Sequence, residues 1–270
     1  MKLSDYINEK WLQPTALSEA YALGDPFPHI VMDDFFKKEI LDEVLMEFPD
    51  LESLESAFHY SSQESSKFAS IGSGVLSRSA FNLISFLNSD VYLSYLKSLA
   101  SISEQLIGDP YLEGGGYHEI KNGGYLKVHT DFNKHPNFNL ERRLNVLIYL
   151  NKDWESTWGG KLGLYKKDNL KKPIKSVTPN FNKVVVFSTN NQTFHGHPEP
   201  LTLSEGISRK SIALYYYSDS VISSDIPIVN NGTDFRTDTG GKFLTQRLSG
   251  GLSLITPPII IKLLKSFIKK

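Results

Sequence analysis

The chain has 270 residues, no cysteine, and a net charge of -1 from 29 Lys plus Arg against 30 Asp plus Glu. That balance excludes the strongly basic footprint of a nucleic-acid binder. The lack of cysteine excludes disulfides and thiolate metal sites, so any metal must be held by His, Asp or Glu. The opening stretch MKLSDYINEKWLQP is polar and has no apolar signal-peptide core, and no run reaches the roughly 18 apolar residues of a spanning helix. A soluble, cytoplasmic protein is the expectation.

Residues 1 to about 24 read as a short helical lead-in. PFPHIVMDDFF places a strand, HIVM, between two loops. KKEILDEVLMEF repeats Ile40, Val44, Leu45 and Phe48 at helical spacing. Residues 49–77 are rich in Ser and Glu and read as exposed loop, and SAFNLISFLNSDVYLSYLKSLASISEQLIG reads as two helices. Residues 1–110 are therefore expected to be a mostly helical support packed on the core. From Tyr111 to about residue 220 the chain changes to short apolar runs punctuated by Gly, Asn and Pro: GGYLKVHTD, RRLNVLIYLN, GGKLGLYKK, NKVVVFST and RKSIALYYYS. Such spacing predicts a β-sandwich or barrel. No long helix separates these strands, which excludes a parallel doubly wound sheet. Residues 221–270 form a C-terminal extension. Within it Ile260, Leu263, Leu264, Phe267 and Ile268 fall on one helical face, with Lys262, Lys265, Lys269 and Lys270 around the other. That basic amphipathic helix either docks on the domain or touches a membrane surface or partner.

Polar residues inside the predicted strands carry the chemistry. His129 and Asp131, in KVHTDF, are two apart and share a face of a strand. An imidazole and a carboxylate on one face make part of an open site of the two-His, one-carboxylate type that holds non-haem iron. In a chain with seven histidines, such a pair alone also reads as ordinary hydrogen-bonded residues. A second histidine is available in TFHGHPEP, where His195 ends the strand KVVVFST and His197 competes with it. Arg209 and Ser211 again share a face, in a run that is apolar on both faces. A buried arginine needs an anion, and its planar fork suits a carboxylate. Alternatively it ends the strand in solvent. Asn145 shares a face with Leu147 and Tyr149, while Leu144, Val146 and Ile148 occupy the other; it needs hydrogen-bond partners, from a ligand or from the fold. Arg142 and Arg143 read as the strand entrance.

Taken in order, the HxD at His129 and Asp131, the distal His195 and Arg209-x-Ser211 resemble the iron(II)- and 2-oxoglutarate-dependent oxygenases. The flanks GGYLKVHTDF, RRLNVLIYLN, GGKLGLY, FHGHPEPL and RKSIALYYY, and the opening PFPHIVMDDFF, resemble its prolyl 4-hydroxylase-like branch, over residues 25 to 220. The resemblance implies an α+β chain with a mainly β core, a double-stranded β-helix or jelly roll with N-terminal supporting helices. It implies Fe(II) on His129, Asp131 and His195, and 2-oxoglutarate with its far carboxylate on Arg209, assisted by Ser211 and with Asn145 as a further contact. Tyr117 matches the tyrosine that often touches this carboxylate, with Tyr125 as its competitor. It implies that O2 and 2-oxoglutarate are consumed to hydroxylate a prime substrate, with succinate and CO2 as co-products. Peptidyl proline is the favoured substrate; a free amino acid, a glycan or a lipid-linked intermediate are alternatives. Residues 55–75, with Phe58, His59 and Tyr60, and residues 133–143 are candidate substrate loops. The fourteen residues from His195 to Arg209 are longer than expected and read as an inserted loop. Rival readings are a cupin-like binding protein, a zinc hydrolase and a non-catalytic relative. The first two leave Arg209 and Ser211 without a role.

Overall fold

The alternation seen in RRLNVLIYLN governs the architecture. In the computed structural model, which describes residues 1–54, 57–60, 66–70, 72–219 and 234–235, this run is strand β6 (Leu140–Tyr149). Leu144, Val146 and Ile148 join the core beneath the helices, while Leu147 and Tyr149 face the other way. Beside β6 lies β11 (Arg209–Asp219), buried along nearly its whole length. A strand buried on both faces needs a layer on each side.

One side is helical. The helices α3 (Lys38–Met46), α4 (Arg78–Leu87) and α5 (Asp90–Leu99) supply Leu41, Val44, Leu83, Leu87, Tyr92 and Leu96 to one apolar core with Val184, Val186, Ile212 and Leu214 of the sheet, and α1 (Leu3–Tyr6) and α2 (Pro14–Ala22) add Tyr6 and Tyr21. α4 starts where Ser77 accepts the Ala80 N–H, an ordinary hydroxyl cap.

The large sheet runs β1-β9-β6-β11-β4-β3-β2, and a smaller sheet runs β12-β5-β10-β7-β8. Their remaining strands are β1 (His29–Met32), β2 (Phe58–Tyr60), β3 (Lys67–Ala69), β4 (Gly116–Ile120), β5 (Leu126–Thr130), β7 (Leu162–Tyr165), β8 (Lys175–Val177), β9 (Val184–Ser188), β10 (Phe194–His197) and β12 (Asp234–Phe235). All strand pairs are antiparallel. The two sheets close on each other as a double-stranded β-helix, the expected jelly roll.

Besides its helices, the stretch 1–110 contributes β1, the expected HIVM strand, and the short β2 and β3 to the large sheet. One expectation needs correction. Residues 49–77 are not all exposed loop: β3 is buried in every residue, Phe68 enters the helix-facing core, and Lys67 pairs with Ile120 of β4. Its polar flanks hid a strand too short to show periodicity. The C-terminal amphipathic helix lies outside the described residues. No described helix is long and apolar enough to cross a membrane.

Candidate active site

Facing strands bring His129 and His195 together. They are paired directly across β5 and β10, their rings 4.4 Å apart. Asp131 follows β5 and turns its carboxylate between them. Donor atoms of His129, Asp131 and His195 all lie within 4.8 Å of one another. His129 Nδ1 lies 2.8 Å from the Lys127 carbonyl and His195 Nδ1 3.1 Å from the Thr193 carbonyl. A carbonyl only accepts, so each Nδ1 carries a hydrogen and Nε2 is the nitrogen left for a metal. Both Nε2 atoms are turned to Asp131, with His195 Nε2 3.3 Å from Oδ2 and His129 Nε2 3.5 Å from Oδ1. Burial pushes His195 down to about 4, so it is neutral at physiological pH. Two imidazoles that present Nε2 to one carboxylate are a donor set that fits Fe(II).

Asp131 is held by residues behind it. Arg142 Nη2 donates to Oδ2 at 3.1 Å and Asn145 Nδ2 to the same oxygen at 2.6 Å. Asn145 Oδ1 in turn accepts from Arg142 Nε at 2.7 Å and Thr189 Oγ1 at 3.1 Å. Burial opposes the Asp131 charge, but Arg142 foremost outweighs it and holds the carboxyl well below the usual carboxylate range. Asn145 therefore lines the cavity as an orienting group for the carboxylate, its amide already engaged, rather than as a free cosubstrate contact. Arg142 lies near the entrance of β6, as expected from sequence, but its side chain turns inward. It is buried, with its guanidinium 3.3 Å from the centre of the Tyr215 ring and 4.6 Å from that of Phe132.

The cluster opens into a cavity of about 140 Å³ between the sheets. That is room for a small organic acid, since about 30 Å³ is one water's share of liquid. Arg209 and Ser211 line it, both buried. Arg209 Nε donates to the Gly160 carbonyl at 2.9 Å, and Nη2 lies 3.4 Å from the Tyr149 hydroxyl. Burial draws the Arg209 pKa below its ordinary value, with Tyr149 opposing. Lys67, His118 and His197 line the same cavity.

Tyr117 is misplaced by the sequence reading. In β4 the residues facing the cavity are His118 and Ile120, opposite Ser211 and Arg209. Tyr117 pairs with Ile212, points to the helical layer, packs on Phe48 and shares a hydrogen bond with Ser77. Tyr125 is half-buried and precedes β5; its neighbour Leu126 is the cavity residue. The tyrosine at Arg209 is Tyr149, whose inward parity beside Asn145 was readable in the sequence. His197 is buried beside the metal cluster but is not part of it.

The inserted loop between His195 and Arg209 is strapped to the β4–β5 turn. Leu201 exchanges backbone bonds with Gly123 and Gly124 at 2.9 Å, and Leu203 N donates to Asn122 Oδ1 at 2.8 Å. Of the proposed substrate loops, Phe58 is half exposed and His59 stacks on Phe68 at 4.6 Å, while His135 is buried 3.9 Å from Asp109.

Comparison with known proteins agrees with this geometry. The family described as the 2OG-Fe(II) oxygenase superfamily matches residues 115–217. A mouse protein, prolyl 3-hydroxylase OGFOD1, is 37% identical over 83 residues, 30% of this chain and 15% of that protein. Its Xenopus laevis counterpart is 32% identical over 83 residues, 30% of this chain and 16% of that protein. This chain thus matches only about a sixth of the length of these relatives. A Pseudomonas putida prolyl-4-hydroxylase structure shares the fold with TM-score 0.56 and 13% identity, covering 77% of this chain and 100% of that one. A Trichoplax adhaerens prolyl hydroxylase shares it with TM-score 0.52 and 19% identity, covering 78% and 91%. The His-Asp-His cluster and the buried Arg209 all fall within residues 115–217, the part of the chain that is similar to the 2OG-Fe(II) oxygenase superfamily.

Proposed function

We propose that this chain is an Fe(II)- and 2-oxoglutarate-dependent hydroxylase. His129, Asp131 and His195 hold the iron, and Arg209 with Ser211 holds the far carboxylate of 2-oxoglutarate. The observation that carries this is the pair of inward Nε2 atoms set against one carboxylate, within a cavity that also contains a buried arginine. Bound there, the iron and its cosubstrate supply the oxidation: O2, 2-oxoglutarate and a substrate C–H give succinate, CO2 and a C–OH.

The chain's own residues do the positioning. The Lys127 and Thr193 carbonyls fix both imidazole tautomers, and Arg142 and Asn145 fix the carboxylate. Arg209 and Tyr215 stand on one face of β11, six residues or about 20 Å of strand apart. Asn145 is paired with Tyr215, so the metal cluster lies toward that end and the carboxylate site toward Arg209. Phe132 and Tyr215, with Gly114 beside both, line the cavity and pack on the Arg142 guanidinium that holds Asp131. A substrate side chain would meet the iron against these rings. The names of the relatives favour peptidyl proline as that substrate.

The test is anaerobic titration of the Fe(II)-loaded protein with 2-oxoglutarate, reading the weak visible charge-transfer band of the chelate. The band should form in the wild type and disappear in His129→Ala. Iron binding without a band would instead support a metal-binding protein of cupin type.

A further inference from the structure

The proposed chemistry leaves His197 without a role, although sequence and structure both single it out. It lies two residues beyond His195 on the cavity face of β10. It is buried, and neither ring nitrogen has a hydrogen-bond partner among the described residues. A buried polar group without a partner is costly and calls for an explanation. Packing supplies none, because an apolar side chain would fill the same space without that penalty. Metal binding supplies none, because the three-ligand cluster excludes it. It pairs with Leu126 at the start of β5, the end away from Asp131, and β4 ends beside it at Ile120, the partner of Arg209, which places His197 toward the arginine end of the cavity.

Arg209 leaves work for such a group. Its Nε is spent on the Gly160 carbonyl, and Tyr149 stands by Nη2. The guanidinium therefore offers a carboxylate only its outer Nη edge. A carboxylate has about four lone-pair sites, so that edge leaves some unmet. His118, which also lines this end, cannot meet them. One of its nitrogens donates to the Gly114 carbonyl, burial pushes it down to about 3, and the remaining nitrogen is a bare lone pair. His197, by contrast, has at least one N–H free to donate in either protonation state, and no protein partner fixes its tautomer.

We infer that His197 donates a hydrogen bond to the carboxylate held by Arg209, and so makes the cavity selective for a 2-oxo acid with a second, distal carboxylate. This deepens the hydroxylase reading and rests on it. His197 is a positioning residue for the cosubstrate, not a metal ligand.

The test compares two ligands on Fe(II)-loaded full-length protein under anaerobic conditions. One is 2-oxoglutarate; the other is 2-oxobutyrate, which chelates through the same 2-oxo acid group but has no distal carboxylate. His197→Leu should weaken 2-oxoglutarate about tenfold to a hundredfold, the scale of one hydrogen bond to a charged group. It should leave 2-oxobutyrate affinity and Fe(II) stoichiometry unchanged. His197→Gln, which keeps a donor, should recover most of the 2-oxoglutarate affinity. If His197→Leu does not fold, His197→Met replaces it as the donor-free variant. Unchanged 2-oxoglutarate affinity, an equal loss for both ligands, or loss of iron would each overturn the assignment of His197. A wild-type protein that binds neither 2-oxo acid would overturn the hydroxylase reading itself.

Discussion

Replacing Asp131 separates the metal role of this residue from its structural one. Any neutral residue there should abolish iron binding. Effects on the metal-free fold should differ sharply between substitutions. In Asp131→Asn, the amide oxygen takes the place of Oδ2 and still accepts from Arg142 and Asn145, now at 3.1 and 2.6 Å. The amide nitrogen then faces His129 Nε2, 3.5 Å from the present Oδ1, and donates to its lone pair. In Asp131→Ala both partners vanish. Arg142, whose side chain is fully buried, keeps only Asn145 Oδ1 and the two aromatic rings. Orphaning one member of a buried ion pair costs about 3–5 kcal/mol. The ring faces retain about 1–2 kcal/mol of attraction for the cation, so the lower end, about 3 kcal/mol, applies. That corresponds to a drop in Tm of roughly 6–12 °C for Ala. Asn should stay within about 1 kcal/mol of wild type. The assay is thermal and urea unfolding of all three proteins in excess chelator. Equal stabilities for Asn and Ala would show that Arg142 does not depend on Asp131, and would remove the account of how the carboxylate is oriented.

Arg209→Met should keep iron and weaken 2-oxoglutarate by roughly two orders of magnitude, the loss of two charge-assisted hydrogen bonds, as read in the chelate titration. Gly160→Ala should do the same more mildly: at φ +66 its Cβ would sit 2.6 Å from Leu201 Cδ2 and 3.1 Å from Arg209 Cδ, so the arginine stem must shift. The expected signature is a raised 2-oxoglutarate KM with a stability loss of about 1–3 kcal/mol. Glu104→Gln tests an ion pair outside the site. Arg143 and its neighbours lower the Glu104 pKa from 4.5 to about 2, and a depressed carboxyl pKa stabilises the fold above the unfolded value. The variant should therefore be less stable by about 1 kcal/mol at pH 7. The difference should shrink as pH falls from about 4.5 toward 2, followed by urea midpoints at each pH.

Much of the site was legible because strand parity is a rigid rule. His129 with Asp131, Arg209 with Ser211, and Asn145 with Tyr149 were each assigned a common face from spacing alone, and each pair does line one cavity. The same rule, applied to β4, would have told against Tyr117. With Arg209 and Ser211 facing inward, their partners Ile120 and His118 must as well, which sends Tyr117 to the helices. The pairing register that makes this inference possible is not in the sequence. β3 was invisible for a different reason: three residues are too few for a period, and its burial comes from β4 alongside it.

Arg142 marks where parity itself breaks. In β6, counting back from the outward Leu144 puts Arg143 inward and Arg142 outward. The ladder with β11 does not keep that count. Tyr216 pairs with Leu144 and Tyr217 with Arg142, so Arg143 is skipped by a bulge. The extra residue turns Arg142 inward behind Asp131 and sends Arg143 to Glu104 and Ser218, at 2.7 and 3.0 Å. A second register shift lies between β5 and β10, where His195 faces His129 but His197 faces Leu126. The metal ligands, Asn145 and the unpartnered His197 all line one cavity. Both irregularities thus sit against the metal cluster. A strictly regular ladder would point Arg142 away from Asp131 and leave that carboxylate without its cation.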